Sequence, residues 1–202
     1  MNDRPEDRAA KLAESRGPIA PSKFAHVVRR TSRFDEMIRW YRTVLNAEIV
    51  HATDMLAFLT YDDEHHRIAL IAMPGLAERS PRSAGTEHVA YNHRDLGDLL
   101  ATYARLKREG IFPYWCVNHG VTTSMYYRDP DGNGIEFQVD NFPSVQEGYR
   151  WMKGPAFAAN PIGVIFDPDD LLARYLAGEP MAKLLEQSPL PAGMTPFDMA
   201  RL

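Results

Sequence analysis

The chain has 202 residues, 45% of them hydrophobic and 25% charged, enough apolar mass for one full core or two small, closely fused ones. A net charge of −4 with a pI near 6.0 provides no basic face for a phosphate backbone, so nucleic acid is not an expected partner. The lone cysteine, Cys116, excludes an intrachain disulfide, and no apolar run approaches the roughly 18 residues that a membrane span needs.

Residues 1–20 carry the charged run MNDRPEDRAAKLAESRGP, which lacks the apolar stretch of a secretory signal; they are expected to be disordered, in a cytoplasmic protein. FAHVV, Phe24 to Val28, then reads as a short strand with His26 at its centre. Phe34, Met37, Ile38, Tyr41, Val44 and Leu45 follow the spacing of an amphipathic helix, with Ser32 and Asp35 placed like a capping box. MLAFLTY and RIALIAM are strand-like runs beyond it, preceded and divided by turn residues such as DDEHH. A Gly/Ser/Pro-rich linker, Pro74 to Gly85, closes the first module, residues 21–75.

The second module, residues 84–142, repeats the pattern. TEHVA places His88 62 positions after His26, and Leu96, Leu99, Leu100, Tyr103 and Leu106 restate the helix up to a glycine stop at Gly110. TTSMYYR and GIEFQV follow, divided by the turn DPDGN. Each half therefore reads strand, helix, three strands. The expected fold is α+β, two tandem βαβββ modules forming one open, curved β-sheet cavity, followed by a C-terminal extension over residues 143–202.

Strand alternation lets a histidine in each module's first strand point into one cavity. GIEFQV adds Glu136, a carboxylate flanked by Ile135 and Phe137, which is too costly to bury without a countercharge. His26, His88 and Glu136 thus form a candidate facial set for a non-haem Fe(II), with Mn(II) as the alternative ion. Taken one at a time, each histidine reads as readily as an ordinary core or surface residue; the symmetry between them carries the argument.

The runs KFAHVV, RFDEMIRWYRTVLNAEIV, GTEHVAYN and NHGVTTSMYYRDPDGNGIEFQVDNF resemble the vicinal oxygen chelate superfamily, and within it the single-domain type I extradiol ring-cleaving dioxygenases, over Phe24 to Phe142. The resemblance implies a catechol-type substrate, O2, and Fe(II) held by His26, His88 and Glu136. It further implies that His66 is the pocket histidine near the O2 site, that His119 contacts the substrate, and that Tyr126, ten residues before Glu136, is the active-site tyrosine. Plain readings stand beside these roles. His65 and His66 follow three acids as an exposed turn pair would, His119-Gly120 suits a polar turn, and one of Tyr126 and Tyr127 must pack in the core. Two other functions share the scaffold: a glyoxalase or fosfomycin-resistance type isomerase or transferase, and a non-catalytic binding protein of the bleomycin-resistance kind. Glyoxalase-like members place a fourth, carboxylate ligand on the last strand of the first module, where this chain has Ala69. The second alternative lacks the metal ligands, all of which are present.

Phe112, Tyr114, Trp115 and Met125 are candidates for an apolar pocket wall or for simple core packing. In the tail, Asp167 is placed to cap a helix over DPDDLLARYLAG, and the apolar PIGVIF requires cover from the second module, from the pocket mouth or from another subunit. A homo-oligomer is expected.

Overall fold

A computed structural model describes residues 4–77, 80 and 84–200, so the linker between Pro74 and Gly85 lies partly outside the described residues. The first module runs β1 (Val27–Thr31), α2 (Phe34–Leu45), β2 (Glu48–Ala52), β3 (Leu56–Thr60) and β4 (Ile68–Ala72), after an N-terminal helix α1 (Pro5–Arg16). The second runs β5 (His88–Asn92), α3 (Leu96–Arg108), β6 (Trp115–Asn118), β7 (Thr122–Arg128) and β8 (Gly134–Asp140). Hydrogen bonding makes each module its own mixed sheet, in the orders β1-β4-β3-β2 and β5-β8-β7-β6-β9, the last strand, β9 (Val164–Ile165), coming from the tail. Among the described residues no helix is long and apolar enough to cross a membrane.

The repeat survives in register. Val28 pairs with Ala69 in the parallel β1–β4 ladder, and Ala90, the 62-residue counterpart of Val28, pairs with Glu136 in the parallel β5–β8 ladder. Ala69 is therefore the structural equivalent of Glu136, and the first module has no carboxylate at that place. Helix α2 begins one residue later than a Ser32 cap would place it. Its N-cap is Arg33, which has no side-chain capping bond, and its backbone N–H is instead taken by the Thr31 hydroxyl at 2.8 Å. Helix α3 has the expected kind of cap, Asp95 accepting from the Asp98 N–H.

Where disorder is expected at the N-terminus, Pro5–Arg16 is helical. Pro5 starts the helix, Glu6 and Asp7 sit in its first turn and Arg16 in its last, while none of its residues is buried, so local terms alone hold it.

Alternation sorts both sheets into two faces. Ala57, Leu59, Ile68 and Leu70 pack with Met37 and Tyr41 of α2; Met125, Tyr127, Ile135, Phe137 and Val139 pack with the buried side of α3. These two cores meet. Val44 of α2 belongs to the second module's cluster, and Trp40, Leu45 and Tyr91 pack against both. The Arg105 guanidinium donates to the Val44 carbonyl at 3.2 Å, and the Tyr41 hydroxyl donates to buried Asp129 at 3.0 Å. Asp129 also accepts from the Asp131 and Asn133 backbone N–H groups at 3.0 and 2.8 Å, so the DPDGN turn is fastened to the other module.

The tail packs on the second module. After α4 (Val145–Met152) and α5 (Pro155–Ala159), strand β9 (Val164–Ile165) pairs antiparallel with β6. Helix α6 (Pro168–Leu176), capped by Asp167, lies on α3 through Tyr103 and Lys107 to Asp169, and Leu171 and Leu184 of α7 (Met181–Leu184) enter the second core.

Tyr41→Phe removes the hydroxyl from a buried carboxylate that bridges the modules. Urea denaturation is expected to show a loss of about 1–2 kcal/mol, and a variant as stable as the parent would mean that Asp129 does not need this donor.

Candidate active site and metal centre

Glu136 is 5% exposed, and the pleat turns it away from Ile135 and Phe137, onto the face of the sheet opposite the core. Its Oε2 lies 3.0 Å from His88 Nε2, and its Oε1 2.9 Å from the Tyr126 hydroxyl. The second module's half of the expected site is thus assembled: β5, β7 and β8 are adjacent, and Tyr126 is the register partner of Glu136. His88 stands at the first residue of β5, and His26 immediately before β1, so both histidines open their strands instead of occupying the centres.

His88 Nδ1 lies against the Glu87 carboxylate, a pairing the sequence reading did not single out. A carboxylate that accepts a hydrogen bond from Nδ1–H favours the tautomer whose Nε2 lone pair can bind a metal. The spacing suits an ion: two cis ligand atoms, each about 2.1 Å from one metal, are roughly 3.0 Å apart.

His26 is placed elsewhere. It is exposed, its ring lies tilted against His66 with centroids 4.3 Å apart, and His66 in turn packs on Phe58 at 4.7 Å. His65 Nδ1 meets His66 Nδ1 at 2.7 Å. Among the described residues no group of three or more His, Cys, Asp or Glu side chains is close enough to hold a metal ion. Of the expected ligands, His88 and Glu136 are brought together, while His26 lies with His66 on the first module. Burial and the neighbouring imidazoles hold the His66 pKa below its ordinary value.

His119 joins Tyr126 through a loop and the tail. Its Nδ1 meets the Ile162 carbonyl, and its Nε2 is 2.9 Å from the Tyr126 hydroxyl. A carbonyl only accepts, so Nδ1 carries the proton. Burial lowers the pKa of this imidazole, and in the neutral ring Nε2 is a lone pair aimed at the phenol. The phenol has one proton for two acceptors, His119 Nε2 and Glu136 Oε1. Burial and the Glu136 charge raise the Tyr126 pKa, so the hydroxyl keeps that proton.

Ile162 has no counterpart in the sequence reading, because a main-chain carbonyl leaves no side-chain signature. Its position is fixed by Asn160, which accepts from Gly163 N–H at 2.9 Å and donates to Gly163 O at 3.0 Å. Gly163 has φ 110°, and a Cβ there would stand 2.4 Å from the Asn118 carbonyl oxygen.

Among the aromatic candidates, Trp115 stacks on Tyr126 at 4.6 Å and 27°, and Tyr114 lies 6.2 Å from the same ring. Met125 points the other way, fully buried in the second core, and Phe112 is exposed.

A family model for the Glyoxalase/Bleomycin resistance protein/Dioxygenase superfamily matches residues 23–137. Biphenyl-2,3-diol 1,2-dioxygenase 2 of Rhodococcus globerulus is 49% identical over 166 residues, covering 82% of this chain and 87% of that protein. Biphenyl-2,3-diol 1,2-dioxygenase 3 of the same organism is 44% identical over 164 residues, covering 80% of this chain and 86% of its own length. Among solved structures, a glyoxylase/bleomycin resistance protein/dioxygenase domain from Frankia sp. EAN1pec has the same fold, with a TM-score of 0.51 at 19% identity, over 60% of this chain and 99% of that one.

Because the folded pKa of His119 lies below its unfolded value of about 6.5, the unfolded chain takes up this proton first. The stability contributed is fully present above that unfolded value and lost as pH falls through the folded one. Urea denaturation between about pH 7.5 and about pH 5 is expected to show a steeper loss in the parent than in His119→Gln. Equal slopes would mean that His119 takes up its proton at the same pH in the folded and unfolded chains.

Proposed function

Since the chain belongs to the glyoxalase/bleomycin resistance protein/dioxygenase superfamily, we infer that it is a metal-dependent extradiol dioxygenase that opens the ring of an aromatic diol with O2. The names of its two Rhodococcus relatives, 2,3-diols cleaved at the 1,2 bond, put scission beside the hydroxyl pair and not between them. The observation that carries this reading here is the Tyr126 hydroxyl, set between Glu136 Oε1 and His119 Nε2 at 2.9 Å from each. A proton donor between a candidate ligand and a neutral imidazole is what a bound diol, which must lose and regain protons, would require.

We propose Fe(II) as the ion and His26, His88 and Glu136 as its ligands. The adjacent Nε2 and Oε2 atoms and the Glu87 partner of His88 support the second and third; the register equivalence of the two modules supports the first. When bound, the metal supplies a Lewis-acid template that holds diol and O2 side by side. Glu87 keeps the His88 Nδ1 proton engaged. Tyr126 donates to an oxygen of the diol when Glu136 is occupied by the metal, and His119 Nε2 takes up or returns a proton through that phenol. His66, an imidazole biased toward its neutral form, serves proton transfer on the O2 side. Trp115 and Tyr114 give the face an aromatic floor that fits a diol bearing an aryl substituent.

The isomerase and transferase readings of this scaffold gain nothing from the first module, whose Ala69 occupies the place of a fourth carboxylate.

Oxygen uptake by Fe(II)-loaded protein on biphenyl-2,3-diol tests the reading, with a conjugated, visibly absorbing ring-opened product as the expected result. Absence of uptake across a panel of catechols would sink it. Tyr126→Phe is expected to lower kcat by about 10²-fold or more with metal content unchanged; loss of the metal would contradict the assigned role.

A further inference from the structure

Of the three groups joined through the Tyr126 hydroxyl, only His119 stands outside a strand. β6 ends at Asn118 and β7 begins at Thr122, and the His119 N–H donates to the Thr122 carbonyl at 2.8 Å. At a strand end the direction of Cβ follows from the backbone of the residue before it, so whatever holds Asn118 also aims the imidazole.

Asn118 is 7% exposed and is held on every side. Its Oδ1 accepts from the Gly120 N–H at 2.8 Å and from the Asn141 amide at 3.0 Å. Its Nδ2 donates to the Leu185 carbonyl at 3.0 Å, and its own carbonyl accepts from the Gln187 side-chain amide at 3.0 Å. Leu185 and Gln187 belong to one short piece of the tail just beyond α7, seated by Leu184 and Leu185 in the second core. A Cβ at Gly163 would stand 2.4 Å from the Asn118 carbonyl oxygen, so the glycine keeps this acceptor within reach of Gln187.

Strand alternation separates two sides. Trp115 and Val117 pack with Tyr126, whereas Cys116 enters the second core, so Asn118 lies with Cys116 on the reverse of the sheet and His119 emerges toward Tyr126. The tail therefore grips β6 from behind, one residue before the imidazole leaves it in front. Asn118 borders a small cleft with Val164, Leu171 and Leu184, where an apolar side chain would pack at less cost than an amide that needs partners. The amide instead gives the turn a fixed direction.

We propose that Gln187 and Asn118 are positioning residues for His119: the far end of the tail fixes the start of the β6–β7 turn and so aims Nε2 at the Tyr126 hydroxyl. Both act through the imidazole. The inference rests on the proton exchange assigned to His119 above, and its test separates the two.

Gln187→Ala removes the donor, and Gln187→Glu keeps the side-chain size while setting an acceptor against the Asn118 carbonyl. Circular dichroism and urea denaturation verify the folding of each. In metal-free parent protein, nitrogen-15 NMR is expected to show a slowly exchanging imidazole Nδ1–H, identified by its loss in His119→Gln. Either Gln187 variant is expected to speed that exchange about ten-fold. On Fe(II)-loaded protein with biphenyl-2,3-diol, both are expected to lower kcat roughly ten-fold, with KM within about two-fold of the parent. In the His119→Gln background the same substitutions are expected to change kcat no further, because they act only through the ring. Parental Nδ1–H exchange in both variants, parental kcat in both while His119→Gln is impaired, or an equal loss of kcat with and without His119 would overturn the positioning role. A His119→Gln protein with parental kcat would overturn the proton exchange at His119, while faster Nδ1–H exchange in the Gln187 variants would still uphold the positioning.

Discussion

A single buried carboxylate organises the polar face of the second sheet. Glu136 sits in an apolar strand at 5% exposure, and everything within reach of its oxygens is a potential cation or proton donor: His88 on one side, Tyr126 on the other. Desolvation of an unpaired charge would cost several kcal/mol. The strand order that puts β5 and β7 on either side of β8 is the fold's answer to that demand, and it gathers an imidazole, a carboxylate and a phenol on one face.

Much of this was legible from residue patterns because it is local and periodic. The 62-residue repeat of histidine and helix predicted both modules, and α2 and α3 begin at Phe34 and Leu96, themselves 62 apart. The runs TTSMYYR and GIEFQV became β7 and β8, and the pairing of Tyr126 with Glu136 follows from their alternation. What the pattern could not carry was how two similar modules dock. That choice is made by side chains such as Trp40, Tyr41, Leu45 and Tyr91, whose periodicity says only that they are buried and not against which module. For the same reason His26 and His88, equivalent in sequence, belong to different clusters. The N-terminal helix was missed because it buries nothing, and apolar periodicity is silent where no face is hidden.

The C-terminal extension is more than cover for an apolar run. By adding β9 to β6 and packing α6 on α3, it makes the second module larger than the first. It also delivers the Ile162 carbonyl to His119, so the imidazole that faces Tyr126 is oriented from outside the repeated fold. The two βαβββ units, alike in backbone, have diverged in this way: one carries the His26–His66 imidazole pair, the other a tethered hydrogen-bond chain.

Because that tether is a backbone oxygen, the hydrogen bond to the imidazole does not depend on the side chain at position 162, whose own part is to pack against the Trp115, Val117 and Tyr126 cluster. The positions that record the contact are its neighbours: Gly163, whose φ of 110° and 2.4 Å Cβ clearance exclude larger residues, and Asn160, whose amide clamps the turn from both directions. In a set of related chains, the mark of this contact would therefore be an asparagine and a glycine three residues apart, distant along the chain from the histidine they serve.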